Sequence, residues 1–297
     1  MLLHRLKVAI PLIIVAALAL GLPGLAGECL FALLAIAFLA GAVHEAFALA
    51  AGCPGARPYR GIVLGAGLAL MGAAWLSCRF CVNRLAANLF MDLTIALVAL
   101  MGSCGVLFRL PPSQEALNAF SRACFNGLFY CWMLSFLAKI YFLPGGHGAL
   151  LLGFVICITK LGDIGAYFLG CGSAALMKGG NHKLSPLISP KKSWEGLVGG
   201  FIFSVVGAWV FWRLAGARLG GEYLGNSFTL SQWDALGMGA LAALVGLLGD
   251  LVESVVKRAA GAKDSGHIPG LGGVLDIADS LVPTGMLCYI WMLFKMI

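Results

Sequence analysis

The stretch GALLLGFVICITKLGDIGAYFLG, residues 148–170, decides the fold, because its only charged residues are Lys160 and Asp163. A helix needs about 20 consecutive apolar residues to cross the hydrocarbon core of a bilayer. Working outward, comparable apolar segments fall at 8–27, 29–52, 61–78, 85–108, 123–142, 194–212, 235–252 and 280–295. The composition agrees: 61% of the 297 residues are hydrophobic and 11% charged, and mean hydropathy is +0.95. Soluble domains carry roughly a quarter charged residues. Open sheet edges cannot be satisfied in lipid, and barrel strands would alternate instead of running apolar. The expected fold is therefore all-α, a polytopic integral membrane protein with about nine transmembrane helices.

The first segment follows His4, Arg5 and Lys7 and resembles a leader, but eight more spans make a cleaved leader unnecessary. It is read as the first membrane helix. With the N-terminus inside, thirteen Lys and Arg fall in cytoplasmic loops (Arg5, Lys7, Arg57, Arg60, Arg109, Arg122, Lys178, Lys183, Lys191, Lys192, Lys257, Arg258, Lys263). Five fall outside: Arg79, Arg84, Arg213, Arg218 and Lys295. This asymmetry predicts a cytoplasmic N-terminus. It also accounts for most of the net charge of +7. Basic residues interleaved with aromatics in a soluble module are missing, so a nucleic-acid partner is not expected. The ten Cys are mostly in apolar spans; Cys78-x-x-Cys81 is a lone pair, a weak zinc signal.

Residues 1–150 read as transmembrane helices joined by short loops, and residues 151–297 as a transmembrane catalytic region with polar loops, together one membrane-embedded domain. Charges inside spans call for a wet cavity or a partner. Lys139 is read as a snorkelling residue or half of an ion pair; His44-Glu45 and Asp92 are left open.

Two polar clusters carry chemistry. In the first, Lys160, Asp163 and Tyr167 lie on one helical stripe. They are followed by His182-Lys183-Leu-Ser185-Pro-Leu-Ile-Ser189-Pro190-Lys191-Lys192-Ser193-Trp194-Glu195-Gly196. Ser189-Pro190 reads as an N-cap and first helical residue, with Lys191 and Lys192 in the first turn facing an anion. Equally, these two are ordinary positive-inside lysines. The second cluster is Asp250, Glu253, Ser254, Lys257 and Arg258, then Lys263-Asp264-Ser265-Gly266-His267-Ile-Pro269-Gly270-Leu271-Gly272-Gly273-Val-Leu275-Asp276-Ile277-Ala-Asp279-Ser280. Asp276 and Asp279, if on one helix, are neighbours that repel unless a cation lies between them. The Gly-rich turn would let backbone N–H groups approach a phosphate. Together the clusters suggest metal-assisted phosphoryl chemistry, and no Walker motif points to an ATPase.

The run from Ser254 to Ser280, with Asp163-x-Gly-Ala-Tyr-Phe and the Ser-Pro-Lys-Lys-Ser-Trp-Glu-Gly block, resembles the phosphatidate cytidylyltransferases over residues 160–285. Leu271, Ile277 and Cys171 depart from that pattern. The resemblance implies transfer of a cytidylyl group from CTP to phosphatidate, giving CDP-diacylglycerol and pyrophosphate. It implies a multi-pass protein of a bacterial-type cytoplasmic (inner) membrane with a cytoplasmic site, and a homodimer. The implied catalytic residues are Asp250, Asp276, Asp279, Lys257 and Asp163. Asp250, Asp276 and Asp279 would hold one or two Mg2+ ions. Substrate would be bound by Lys183, Ser189, Lys191, Lys192, Ser254, Arg258, Lys263, Asp264, His267, Gly272 and Gly273. Alternatives are a CTP-dependent transferase acting on another lipid such as a polyprenol, a membrane transporter, or an inactive paralogue.

Overall fold

The structure, a computed structural model, describes residues 2–49, 57–80, 84–143, 145, 147–177, 180–223, 226–266, 268 and 272–296. Cys81, His267 and Leu271 lie outside the described residues, as does the side chain of Cys78. The chain is an all-helical polytopic membrane protein. Among the described residues, eight helices are long and apolar enough to cross a membrane, and the apolar part of the first, Ile10–Gly21, is shorter.

The chain forms two compact units, Met1–Phe142 with Ala260–Ala278, and Leu143–Ala259 with Asp279–Ile297. The first unit holds α1 (Leu2–Gly21), α2 (Gly24–Leu49), α3 (Arg57–Phe80), α4 (Arg84–Leu107), α5 (Gln114–Asn126), α6 (Met133–Tyr141) and the four-residue α10 (Leu275–Ala278). The first expected span, 8–27, is divided. Pro23 cannot continue a hydrogen-bond ladder, and Gly24 takes a φ of +65°, so α1 stops at Gly21 and residues 24–27 open α2. The span expected at 123–142 begins earlier, because Ser113 caps α5 by accepting from Ala116 N–H at 3.1 Å. A π-helical turn at Gly127–Trp132 joins α5 to α6.

Phe31 of α2 stacks on Tyr141 at 3.9 Å between ring centroids, and Tyr141 Oη donates to Ala19 O at 3.1 Å. The intramembrane Lys139 is buried and forms an ion pair with Asp92 of α4, which also accepts from Trp132 Nε1 at 3.4 Å. These two intramembrane charges thus neutralise each other, and the ion-pair reading of Lys139 holds. Ala42, Ala46, Tyr130 and Leu275 form a buried cluster edged by Leu49, Phe125, Phe129 and Val274, seating α10 against α2.

The second unit holds α7 (Gly148–Leu176), the hairpin β1 (Lys183–Ser185) and β2 (Ser189–Ser193), α8 (Trp194–Ala215), the hairpin β3 (Gly220–Tyr223) and β4 (Asn226–Thr229), α9 (Gln232–Ala259) and α11 (Leu281–Met296). Small residues let α7 and α8 meet backbone to backbone: a Cβ on Gly165 would stand 2.5 Å from Gly199 O, and one on Gly199 2.5 Å from Gly165 O. Ser204 Oγ lies within hydrogen-bond distance of Ile158 O and Gly239 O, tying α8 to α7 and α9. At the start of α9, Asp234 accepts from Ser231 N–H and Trp291 Nε1 and pairs with Lys295 at 3.0 Å.

One expectation fails here. Ser189 and Pro190 do not start a helix; Ser189–Ser193 is a strand, and Lys191 and Lys192 lie on it. The N-cap is Ser193, whose hydroxyl accepts from Gly196 N–H at 3.1 Å. Ser185 and Ser189 pair across the hairpin, so the residues before Ser193 are held in extended backbone. Pro190 is tolerated because a two-stranded hairpin has only edge strands.

Candidate active site

The carboxylates and lysines of the second unit come together from four chain segments. On α7, Lys160 Nζ donates to Asp163 Oδ2 at 2.9 Å and to Ser280 Oγ at 3.1 Å, and Ser280 Oγ donates to the same Asp163 oxygen at 3.0 Å. The i, i+3 spacing seen in the sequence thus produces the contact. From β2, Lys192 reaches α9, pairing with Asp250 Oδ2 at 3.0 Å and lying 3.4 Å from Leu247 O. Ser254 Oγ, one turn on, donates to Asp250 Oδ1 at 3.3 Å. Lys257 pairs with Glu253 at 3.4 Å, both buried.

Gly249 is what admits Asp279 to this group. A Cβ there would stand 2.0 Å from Asp279 O, so only glycine lets α9 pack on that turn. Asp279 is buried and its Oδ1 accepts from Ser280 N–H at 2.6 Å. Burial pushes the Lys192 ammonium below the usual lysine range, while Asp250, Asp279 and Asp163 pull it back toward the charged form. Lys192 is therefore surrounded by carboxylates yet partly desolvated.

The other second-unit candidates are more open. Lys183 donates to Asn181 Oδ1 at 2.8 Å, Lys191 is exposed, and Arg258 Nε donates to Ile188 O in the hairpin turn at 3.4 Å. His182 pairs with Glu195 at 2.7 Å.

The Gly-rich segment belongs to the first unit and is organised around a residue of α2. Glu45, 8% exposed, accepts from Val274 N–H at 2.9 Å, Leu275 N–H at 3.0 Å and Ser265 Oγ at 2.9 Å. Ser265 in turn gives its N–H to Asp276 Oδ2 at 3.0 Å, and its Oγ lies 2.9 Å from the same oxygen. Ile268 and Gly272 exchange both backbone hydrogen bonds. The loop was expected to offer open amides to a phosphate. Instead the amides of Ser265, Gly272, Val274 and Leu275 are taken by the protein's own acceptors. The space above Gly273 is filled by Ser265 Oγ and Glu45 Oε2, which a Cβ would meet at 2.1 and 2.3 Å. The anion approached by these glycines is Glu45.

Nor do Asp276 and Asp279 share a helix: α10 ends at Ala278 and Asp279 lies in the following turn. Lys263 and Asp264 are exposed at the start of the loop.

Lys160, Ser265 and Ser280 were not among the predicted site residues. Lys160 could have been found from its stripe with Asp163. Ser280 closes the motif that carries the resemblance and could have been found there; Ser265 carries no sequence signal beyond lying next to an acidic residue.

The sequence profile of the cytidylyltransferase family matches residues 3–295. The chain belongs to the cytidylyltransferase family. Its relatives include a phosphatidate cytidylyltransferase of Haemophilus influenzae, 40% identical over 136 residues, covering 46% of this chain and 43% of the relative. A Brucella suis protein of that name is 36% identical over 166 residues, covering 56% and 55%. One from Thermotoga maritima is 36% identical over 193 residues, covering 63% and 65%. The matches span about half of the length of these curated relatives.

Proposed function

We propose that this cytidylyltransferase-family protein transfers a cytidylyl group from CTP to phosphatidate, giving CDP-diacylglycerol and pyrophosphate. The observation that carries this reading is the cluster of Lys160, Asp163, Lys192, Asp250 and Asp279 in the second unit, where ammonium groups are held by carboxylates on helices of a membrane protein. The names of the three relatives support phosphatidate as the acceptor.

In this reaction a phosphate oxygen of phosphatidate attacks the α-phosphorus of CTP, the bond from that phosphorus to the bridging oxygen of the β-phosphate breaks, and pyrophosphate leaves. A phosphomonoester has a second pKa of about 6, so the nucleophile is already largely ionised at neutral pH. No general base is required. What the protein must supply is position and positive charge, the usual requirement of phosphoryl transfer. Lys192 and Lys160 provide that charge, and Asp250 and Asp163 orient their ammonium groups. Lys257, fixed by Glu253, and Arg258, Lys183 and Lys191 extend the basic surroundings.

Asp250 and Asp279 of the second unit fit Mg2+, since they offer hard carboxylate oxygens; Asp276 of the first unit is a candidate from the sequence resemblance alone. Among the described residues no group of three or more His, Cys, Asp and Glu encloses an ion. Mg2+ at a nucleotide site commonly takes one or two carboxylates and completes its shell with substrate phosphates and water. When bound, such an ion would neutralise the triphosphate and stabilise charge on the leaving pyrophosphate.

The Lys and Arg asymmetry of the loops and the bacterial relatives support an inner-membrane location with a cytoplasmic N-terminus and site. The sequence resemblance supports a homodimer. Purified protein should convert radiolabelled CTP with phosphatidate and Mg2+, and should lose the activity with EDTA. Turnover with a polyprenyl phosphate and none with phosphatidate would reassign the acceptor.

A further inference from the structure

Glu45 stands in α2, far in sequence from every motif of the predicted site, and is buried at 8% exposure. A carboxylate at such a place is costly unless its oxygens are satisfied. They are satisfied by a single segment: Val274 N–H on Oε1, and Leu275 N–H and Ser265 Oγ on Oε2. The two ends of the Gly-rich loop therefore close on one side chain.

Ser265 then connects Glu45 to Asp276. Its hydroxyl lies 2.9 Å from both Glu45 Oε2 and Asp276 Oδ2, and its N–H is donated to that same Asp276 oxygen. The Ser265 N–H on Oδ2 fixes the rotation of the Asp276 carboxylate, and the single Ser265 hydroxyl proton is shared between that oxygen and Glu45 Oε2. The glycines leave no slack in the arrangement. A Cβ on Gly266 would meet Glu45 Oε1 at 2.3 Å, and one on Gly272, at φ +84°, would meet Asp276 Oδ2 at 2.5 Å.

We propose that Glu45 is a positioning residue for the reaction, orienting the Asp276 carboxylate through Ser265 and the backbone of the Gly-rich loop. This rests on the proposed cytidylyl transfer, in which Asp276 is a candidate metal ligand, but the linkage itself is geometric and can be measured without turnover. Glutamine at position 45 would have a single acceptor oxygen for three donors, and its amide would point N–H groups at donors. Loss of the clasp should free the amides of Val274 and Leu275. If Asp276 is held through Ser265, the Ser265 amide should be freed with them, although it touches Asp276 and not Glu45.

The test is amide hydrogen exchange at single-residue resolution on purified full-length wild type, Glu45→Gln and Ser265→Ala, with steady-state kinetics on the same samples. In Glu45→Gln, exchange should quicken at least tenfold at Val274, Leu275 and Ser265. The kcat should fall at least tenfold, with the KM for CTP within threefold of wild type. Ser265→Ala, which keeps both amide bonds to Glu45, should lower kcat similarly while Val274 and Leu275 stay protected; this variant decides the matter if Glu45→Gln does not fold. Faster exchange confined to Val274 and Leu275 would make Glu45 a local cap and overturn the proposal. So would a kcat unchanged in both variants. A wild type that does not turn over CTP and phosphatidate would remove the functional reading, while exchange at Ser265 would still decide whether Glu45 orients Asp276.

Discussion

The Lys192 ammonium lies 3.0 Å from Asp250, whereas its neighbour Lys191, on the alternate face of β2, is exposed. In sequence the two are indistinguishable. If both served only membrane topology, either could be removed without kinetic effect. The pairing predicts a difference: Lys192→Ala should raise the KM for CTP or lower kcat at least tenfold, and Lys191→Ala should stay within threefold, measured by steady-state CTP turnover. One tenfold step corresponds to about 1.4 kcal/mol, within the range of a charge-assisted hydrogen bond. Protonation gives a second outcome. Because burial depresses the Lys192 pKa, the ammonium is lost at lower pH than for an ordinary lysine. A reaction that needs this charge should therefore decline on the alkaline side below the usual lysine range. Lys192→Arg should move that decline upward, since guanidinium does not deprotonate in this range. A kcat/KM profile with the same alkaline limb in both proteins would exclude Lys192 as its source.

Among the elements, the paired helices α7 and α8 show what was legible and what was not. Their existence followed from apolar length alone. Which glycines meet could not be read, because small residues recur along both helices and register depends on the partner. The structure pairs Gly165 with Gly199. Gly199→Val should destabilise the protein by about 1–3 kcal/mol, the usual cost of overpacking, here against backbone that cannot rotate away. Gly172→Ala, on the same α7 but with nothing within 4 Å of the new Cβ, is the control and should be neutral. Thermal unfolding in detergent distinguishes them. The hairpin β1–β2 was missed for a different reason. Ser-Pro is a sound helix-start signal, but Ser193 followed by Trp194 and Glu195 is a second one four residues on. The cross-strand pairing that decides between them is not a local property. Similarly, the Gly-rich turn was read as approaching a phosphate, whereas the anion it closes on is a side chain some 220 residues earlier in the chain. Local sequence could not supply that partner, although an isolated Glu45 in an apolar span was already a sign that one existed.

At the scale of the molecule, the apolar segments foretold an all-helical membrane protein, while the ends of the helices needed the structure. Charge asymmetry adds sidedness, which can be argued within the second unit alone. The helix α8 runs 22 residues, Trp194–Ala215, and at 1.5 Å per residue extends about 33 Å, enough for a hydrocarbon core of about 30 Å. It is preceded by the β1–β2 hairpin with Lys183, Lys191 and Lys192, and followed by Arg218 and the β3–β4 hairpin. If α8 spans the bilayer, these two hairpins lie in different compartments, and the lysine-rich one should be cytoplasmic. The β1–β2 hairpin is also the one that places Lys192 against Asp250, so the same side would meet CTP, a cytoplasmic solute. Single cysteines introduced at Lys183 and at Arg218, in a background lacking native cysteines, separate the possibilities in intact cells. A membrane-impermeant maleimide should label the Arg218 position from outside and should reach the Lys183 position only after the membrane is opened. Labelling at Lys183 in sealed cells would place Lys192 and Asp250 on the wrong side for CTP, and the proposed reaction could not be drawn on this cluster.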